Sequence, residues 1–309
     1  MAACLSERGS PIVAVGSERP GAAQNFAADH GVETALESHA AVAEHPDVDV
    51  VYVATTNDLH LTNVLTCLEH GKPVLCEKPI ALNGTQTREM FDTAARAGVF
   101  VMEAMWMRFQ PFLAVVDGLV AEREIGDLIH IGATLGFRAP LDAGRRWVSS
   151  ELGGGSILDL GVYPMTLIHH LVGSPVSFHA GTVLGPTGVD VEASVISRHG
   201  SDATASWTST FRADTANEAV LSGREGRIRI AAPFHHSPRL NLERDGRVVA
   251  THDTSYEGHG FEFEVAEVER CVAGGLVESP IRPHKDTLAV MDWMDAVRAR
   301  CGISYPAEG

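Results

Sequence analysis

Short apolar runs alternate with amphipathic segments through the first third of the chain. Each run is bounded by turn residues, which is typical of a strand buried on both faces of a parallel sheet. The segments between the runs carry apolar residues at helical spacing, and this alternation predicts a doubly wound, Rossmann-like parallel sheet. The predicted strands are 11–16, 49–54, 74–76 and 99–102, and the predicted helices are 22–30, 37–44, 59–70 and 86–97.

The pattern changes near Gly126, where short segments of alternating apolar and polar residues begin. Turn residues separate them, so they predict an open, mostly antiparallel sheet in a C-terminal α/β domain. We expect two domains, 1–104 and 105–309, with a final helix at 283–300 that packs back on the first domain. The predicted strands are 128–137, 176–184, 189–198, 204–211, 219–222, 227–231, 240–244 and 248–252, followed by a helix at 261–273.

One predicted strand has an unusually regular face of small hydroxyl residues. Ala205 and Trp207 share the opposite face, because side chains alternate along a strand. Small residues let two sheets approach closely, so this face is either solvated or packed against a second copy in a two-fold dimer. Its members are Thr204, Ser206, Thr208 and Thr210.

The strand at 74–76 ends on Glu77, Lys78 and Pro79. Pro79 biases Lys78 toward extended geometry, which fixes where the ammonium leaves the carboxyl end of the strand. Ligands bind at that end in open parallel sheets. Taken alone, such a lysine is more often a solvated surface group.

Three consecutive glycines, Gly153 to Gly155, precede Asp159 and Tyr163, and a predicted helix at 165–172 follows. Glycines let the backbone pass close to a ligand or another segment. Asp159 and Tyr163 are four residues apart and would share a helix face, although Pro164 predicts a kink or a fresh helix start there. The alternative is that Tyr163 is an ordinary core aromatic residue.

Composition narrows the possible partners. The 309 residues carry a net charge of −16, which argues against nucleic acid and against an anionic membrane surface. Five scattered cysteines and the lack of a long apolar run predict a cytoplasmic protein with free thiols. Adjacent histidines occur at 169–170 and 235–236, but neighbours on a regular element face different ways, so we predict no metal site.

The motifs together resemble those of a known family. They are residues 49–57 with His60, the Glu-Lys-Pro segment at 71–79, residues 103–109, and the glycine-rich segment at 153–163. This set is similar to that of the glucose-fructose oxidoreductase / inositol dehydrogenase (Gfo/Idh/MocA) family, nearest its branch of trans-1,2-dihydrobenzene-1,2-diol and D-xylose 1-dehydrogenases.

The resemblance implies an N-terminal Rossmann domain that binds NAD or NADP and a C-terminal substrate and dimerisation domain. It implies catalytic roles for Lys78, Tyr163 and Asp159. Glu18 would suit the ribose 2′-hydroxyl of NAD and Arg19 the 2′-phosphate of NADP, so the choice stays open. The cofactor-binding residues it implies are Ser17, Glu18, Arg19, Thr55, Thr56, Asn57, His60, Glu77 and Lys78.

The chemistry that these residues would serve is oxidation of a sugar, polyol or cyclic dihydrodiol hydroxyl. The cofactor moves the hydride, and the site needs a base, which Tyr163 becomes if the Lys78 ammonium favours its phenolate. We expect Asp159 to orient the lysine or substrate, and Trp106, Arg108 and Phe109 to line the pocket. The alternatives are a non-catalytic sensor of a dinucleotide or sugar, and a purely structural dimer module.

The sequence departs from the family at its start. The family opens with a strand and a G-x-G-x-x-G turn, whereas the first strand here looks like the family's second. Three outcomes are possible: the flanking strands close on each other, Met1 to Leu5 fill the gap, or further residues precede Met1. We expect the third, with roughly 25 upstream residues forming one strand, one turn and one helix.

Overall fold

The computed structural model describes residues 1–308, apart from the side chain of Glu7. Two short parallel strands, β1 (Ala14–Gly16) and β2 (Thr34–Leu36), form the first sheet. Helix α2 (Ala22–His30) connects them and ends at Gly31, which takes the left-handed conformation that glycine adopts readily. Helix α3 (His39–Glu44) follows β2 and begins at Ser38, whose hydroxyl accepts a hydrogen bond from the Ala41 amide.

A second parallel sheet contains β3, β4 and β5 in that order. Its elements are β3 (Val51–Val53), α4 (His60–Glu69), β4 (Val74–Glu77), α5 (Gly84–Ala97) and β5 (Val101–Ala104). Alternating strand and helix therefore build a Rossmann-like unit, as the sequence predicts.

The parallel strands do not form one continuous sheet: β1 and β2 form one sheet, and β3 to β5 form another. β1 pairs only with β2 among the described strands, and β3 only with β4. Met1 to Leu5 do not fill the space between β1 and β3, because Ala2–Arg8 form helix α1, which packs against α8 (Glu262–Ala273). Neither of the two ways of closing the gap within this sequence therefore occurs.

The C-terminal sheet contains all eight predicted strands. Their order is β13-β12-β11-β10-β6-β9-β8-β7, and every pair is antiparallel except β6 and β9, which are parallel. The strands are β6 (Leu128–Gly136), β7 (Pro175–Leu184), β8 (Asp190–His199), β9 (Thr204–Thr210), β10 (Ala219–Gly223), β11 (Arg227–Ile230), β12 (Arg239–Arg244) and β13 (Arg247–Asp253).

Helices cover one face of this sheet and join it to the first half of the chain. Helix α7 (Val162–Val172) packs against β6 and β9, and α9 (His284–Arg300) packs against both α7 and α5. The final helix therefore contacts α5 in the first half of the chain. Helix α6 (Pro111–Ala121) was not predicted.

A buried ion pair joins the two halves at the end of β5. Arg282 donates to Glu103 at 2.6 Å, and both side chains are 1% exposed. Removing either partner would leave the other charged in the protein interior, which is strongly destabilising.

Strand β9 has the two faces that its sequence predicts, except that Thr210 of the hydroxyl face is buried, with its hydroxyl donating to Glu192 at 3.0 Å. Ala205 and Trp207 are buried, whereas Thr204, Ser206 and Thr208 lie partly exposed on the other face. None of the helices in residues 1–308 has the length and apolar character that crossing a bilayer requires.

Candidate active site

Lys78 lies directly after β4, where its ammonium meets the glycine-rich segment of the second half. Its Nζ donates to Asp159 Oδ1 at 3.0 Å and to the Asp159 carbonyl at 2.8 Å. Both side chains are largely buried, at 15% and 18% exposure. The structure therefore brings together two predicted catalytic residues that are 81 positions apart in sequence.

Asp159 also faces a second cation. Arg146 lies 3.8 Å from Asp159 Oδ1. Burial acts to raise the pKa of Asp159, but the Lys78 ammonium and the Arg146 guanidinium outweigh it and hold that pKa below its ordinary value. Burial acts to lower the pKa of Lys78, but the carboxylate of Asp159 raises it overall, so Lys78 is a cation at any physiological pH.

Tyr163 completes this group on the first turn of α7. Lys78 Nζ lies 5.0 Å from the centre of its ring, and the Trp106 indole donates to its hydroxyl at 3.0 Å. Burial nevertheless raises the pKa of Tyr163, although Lys78 and the indole act to lower it. The expected phenolate is therefore not the resting form, because burial of a charged group outweighs one adjacent ammonium.

A π-helical turn, Ile157–Gly161, precedes α7 and carries Asp159. The glycines before it allow close packing, since a Cβ on Gly154 would lie 2.7 Å from the Arg146 carbonyl. Asn57 donates to the Gly153 carbonyl at 2.9 Å, and Tyr305 donates to the Gly154 carbonyl at 2.6 Å.

Asp190, which sequence analysis did not identify, holds the start of this turn. It is fully buried at the start of β8. Its Oδ2 accepts hydrogen bonds from the Ser156 hydroxyl and the Ile157 amide, both at 2.7 Å. No sequence pattern identifies it, because its partners come from a segment more than 30 positions earlier.

Two histidines from a distant turn also border Tyr163. The ring centres of His235 and Tyr163 are 4.7 Å apart, and those of His236 and Trp106 are 5.0 Å apart. Phe261 packs on the same indole at 4.9 Å. Two adjacent histidines indicate at most a metal site by composition, so no sequence signal places this pair beside Tyr163.

The predicted cofactor residues follow the carboxyl ends of β1, β3 and β4. After β1, Ser17 Oγ accepts from the Arg19 amide at 3.2 Å, while Glu18 and Arg19 are exposed. After β3, the Thr55 hydroxyl accepts a hydrogen bond from the side-chain amide of Asn63 at 3.1 Å. Thr56 precedes a short 3-10 turn. These two segments leave polar groups at one edge of the parallel strands.

Glu77 and His60 hold the backbone at this edge. Glu77 accepts hydrogen bonds from the Tyr52 hydroxyl and the Lys78 amide. His60 is fully buried, with its two ring nitrogens 2.9 Å from the Pro79 carbonyl and 3.2 Å from the Thr55 carbonyl. The imidazole therefore orients the two strand ends and does not present a nitrogen to a ligand.

Two predicted pocket residues lie elsewhere. Arg108 donates to the Ile281 carbonyl at 3.0 Å, and burial together with the Arg282 charge lowers its pKa to about 10. Phe109 packs against the core beneath β4, β5 and α8. Of the three predicted pocket residues, the structure brings only Trp106 to Tyr163.

The donor set fits the two ends of a nicotinamide dinucleotide. The exposed turn with Glu18 and Arg19 has groups that could contact an adenosine ribose, and Lys78 with Tyr163 has groups that could transfer a proton. For the pyrophosphate, residues 1–308 contain no G-x-G-x-x-G turn, and the segments available are 16–19 and 55–58.

This fold and site define a class, the two-domain oxidoreductases with a Rossmann domain for a nicotinamide dinucleotide. Residues 2–105 match the model of the oxidoreductase family with an NAD-binding Rossmann fold. Residues 114–229 match the model of the GFO/IDH/MocA C-terminal domain. The chain belongs to the Gfo/Idh/MocA oxidoreductase family, which confirms the predictions of family, enzyme class and dinucleotide-binding domain.

Curated relatives match over almost the whole chain. A trans-1,2-dihydrobenzene-1,2-diol dehydrogenase of Xenopus tropicalis is 33% identical, with 96% of this chain and 91% of the relative covered. The Danio rerio enzyme of that name is 34% identical, with 95% and 90% covered.

Solved structures share the fold. A 3-ketoreductase from Actinomadura kijaniata with NADP and TDP-benzene has a TM-score of 0.86 and 25% identity, covering 97% of this chain and 93% of its own. A levoglucosan dehydrogenase in complex with NADH and levoglucosan has a TM-score of 0.83 at 21% identity, covering 96% and 90%. The second likeness concerns the fold alone.

Proposed function

We propose that this protein is an NAD(P)-dependent dehydrogenase that oxidises a hydroxyl group of a sugar, polyol or cyclic dihydrodiol, or reduces the corresponding carbonyl. The observation that carries the proposal is the contact of Lys78 and Trp106 with Tyr163 at the carboxyl end of β4. A cation and an N–H donor beside a buried phenol are the groups that proton transfer at a carbinol needs. The names of the relatives support these substrate classes.

The proton is handled by Tyr163. A nicotinamide cofactor, when bound, would supply the hydride chemistry at the substrate carbon. In oxidation, the phenolate of Tyr163 takes the hydroxyl proton, and in reduction the phenol returns it to the carbonyl oxygen. Because burial raises the pKa of Tyr163, the resting phenol suits reduction at neutral pH, and oxidation speeds up as the pH rises.

Lys78 stabilises the charge that appears in this step. Its ammonium lies beside the Tyr163 ring, and its bonds to Asp159 fix its position. The indole N–H of Trp106 donates to the same phenolic oxygen. This hydrogen bond becomes stronger as the oxygen becomes negative. Asp159 orients Lys78 and does not itself take the substrate proton in this scheme.

The remaining assignments are part of the same proposal. Residues 1–104 bind the dinucleotide, with Ser17 to Arg19 and Thr55 to Asn57 at its adenosine and phosphate side, and residues 105–309 bind substrate. Either NAD or NADP suits the pair Glu18 and Arg19. The free cysteines and acidic charge support a cytoplasmic location without a nucleic-acid or membrane partner. The contacts of Lys78 with Asp159 and Tyr163 favour the dehydrogenase over a non-catalytic sensor or a structural module.

Cofactor titration and one variant test the proposal. Nicotinamide fluorescence should rise and saturate when NADH or NADPH is titrated with the protein. Tyr163→Phe should then lower kcat by about a hundredfold or more, with the dissociation constant of the cofactor unchanged, because only proton transfer is lost. Lys285→Met, at an exposed lysine of α9, is the matched control and should keep full activity. Wild-type kcat in Tyr163→Phe would remove this mechanism.

A further inference from the structure

The turn Phe234–His236 brings two imidazole rings against the proposed acid–base residue. His235 lies at 4.7 Å from Tyr163 and 5.8 Å from Trp106, measured between ring centres. His236 lies 4.5 Å from His235 at a right angle. The wall of the site beside Tyr163 is therefore built from imidazoles, whereas Phe261 extends the aromatic wall beyond Trp106.

The Nδ1 atom of His235 is buried and has no hydrogen-bond partner among residues 1–308. Burial, His236 and Lys78 together lower the pKa of His235 to about 3, so the ring is neutral and carries one N–H donor and one acceptor nitrogen. A buried polar atom without a partner costs free energy, which a ligand hydroxyl can recover.

A hydroxyl group matches this ring because it also has one donor and free acceptor positions. The ring centre of His235 lies 4.7 Å from that of Tyr163, so a hydroxyl next to one that contacts Tyr163 would be within reach of the imidazole. A compound with a single hydroxyl leaves the imidazole unsatisfied. Sites that bind a hydroxyl with buried polar groups reject analogues that lack it.

We propose that His235 is a specificity residue that hydrogen-bonds a second substrate hydroxyl next to the one that reacts, so that the site selects vicinal diols, including sugars and polyols, over simple secondary alcohols. This inference rests on the proposed dehydrogenase function. It assigns His235 to recognition and leaves proton transfer to Tyr163.

Steady-state kinetics with two matched probes test the proposal. trans-1,2-Cyclohexanediol carries both hydroxyls, and cyclohexanol carries only one. In His235→Phe, which keeps an aromatic ring but removes both nitrogens, kcat/KM for the diol should fall about tenfold or more while that for cyclohexanol stays unchanged. An equal change for both alcohols, or no change for either, would overturn the inference. His70→Phe, on an exposed turn of the first half, should leave both values unchanged.

Nitrogen-15 spectra of the imidazole rings give a readout that does not depend on turnover. The His235 signals are those missing from the spectrum of His235→Phe. With NAD or NADP present, the diol should shift them and cyclohexanol should not. Unshifted His235 signals at a diol concentration that shifts other signals of the protein would overturn the inference.

The two arms separate this inference from the proposed function. If the diol shifts the His235 signals but no hydroxyl compound is turned over, recognition stands and the dehydrogenase proposal fails. If cofactor-dependent oxidation occurs with the same diol-to-alcohol preference in the wild type and His235→Phe, the dehydrogenase proposal stands and the role of His235 is wrong.

Discussion

At Tyr163, burial and the neighbouring charges act on the phenol in opposite directions. Lys78 and Trp106 favour the phenolate, whereas burial favours the neutral phenol and prevails. The sequence correctly indicates that a cation would stand beside Tyr163. The sequence cannot indicate whether burial or the neighbouring cation decides the pKa of Tyr163, because desolvation depends on how completely other segments cover the ring.

Glu264 is a second residue whose protonation is decided by burial. It lies in the first turn of α8, is fully buried, and neither carboxylate oxygen has a hydrogen-bond partner among the described residues. Burial raises its pKa well above 4.5, Glu77 adds to this shift, and the Met1 ammonium opposes it. The folded protein therefore keeps a proton that the unfolded chain releases above pH 4.5.

We predict that Glu264→Gln stabilises the protein, and increasingly so as the pH rises. A raised carboxyl pKa makes the wild type lose stability with increasing pH, by about 1.4 kcal/mol for each unit between the unfolded and folded pKa values. The free energy of unfolding, measured in urea from pH 4 to pH 8, checks this. Glu257→Gln, at an exposed glutamate, is the control and should follow the wild type. A constant difference across this range would contradict the prediction.

At the scale of elements, the π-helical turn and α7 form one unit that carries Asp159 and Tyr163. Its position is set at the start of the turn, where Asp190 accepts two hydrogen bonds from Ser156 and Ile157. A shift of this start would move Tyr163 relative to Lys78, which belongs to a different half of the chain. Small displacements of this kind reduce catalysis markedly.

Asp190→Ala should therefore lower both stability and kcat, with the cofactor dissociation constant unchanged. The Ser156 hydroxyl and the Ile157 amide would lose their acceptor, and each buried donor without a partner lowers the free energy of unfolding by about 1 to 3 kcal/mol. Asp190→Asn keeps an oxygen for the Ile157 amide and should recover most of the kcat. Urea unfolding and steady-state kinetics check the pair of variants. If Asp190→Ala lost stability but kept the wild-type kcat, Asp190 would be a structural residue without a positioning role.

At the scale of the whole molecule, the face of the C-terminal sheet opposite Trp207 is lined by small residues that lie partly exposed. Ile196 is 63% exposed on β8 and lies among small residues of β6 and β9, including Gly132, Ser206 and Thr208. An exposed apolar residue within a flat face of small side chains suits contact with a second copy related by a two-fold axis.

We predict a homodimer through this face. Light scattering at micromolar concentration should give twice the chain mass for the wild type, and Ile196→Arg should give a monomer, because two like charges would meet near the axis. Leu276→Arg, at a 39% exposed leucine after α8, is the matched control and should stay dimeric. A monomeric wild type would contradict the prediction.

Local patterns predicted most elements of the fold. The eight strands of the C-terminal sheet and the final two helices follow from periodicity, since spacings of two and of 3.6 residues are properties of neighbouring residues. The Glu-Lys-Pro and glycine-rich segments likewise identified Lys78, Asp159 and Tyr163. The sequence pattern does not indicate helix α6, because its residues are largely apolar and show no clear helical periodicity. It does not indicate strand β2 either, because that strand has only three residues.

Contacts between distant segments decided the rest. The parallel strands lie in two sheets, and β6 pairs in parallel with β9, because pairing depends on which strands meet in space. Arg108 and Phe109 share a segment with Trp106 yet turn to other partners. His235 reaches Tyr163 from 72 positions later in the chain. The sequence by itself determined the family, most of the elements and the proposed acid–base residues. Burial and long-range packing decided the protonation of those residues, the contacts that hold them and the imidazole wall beside them.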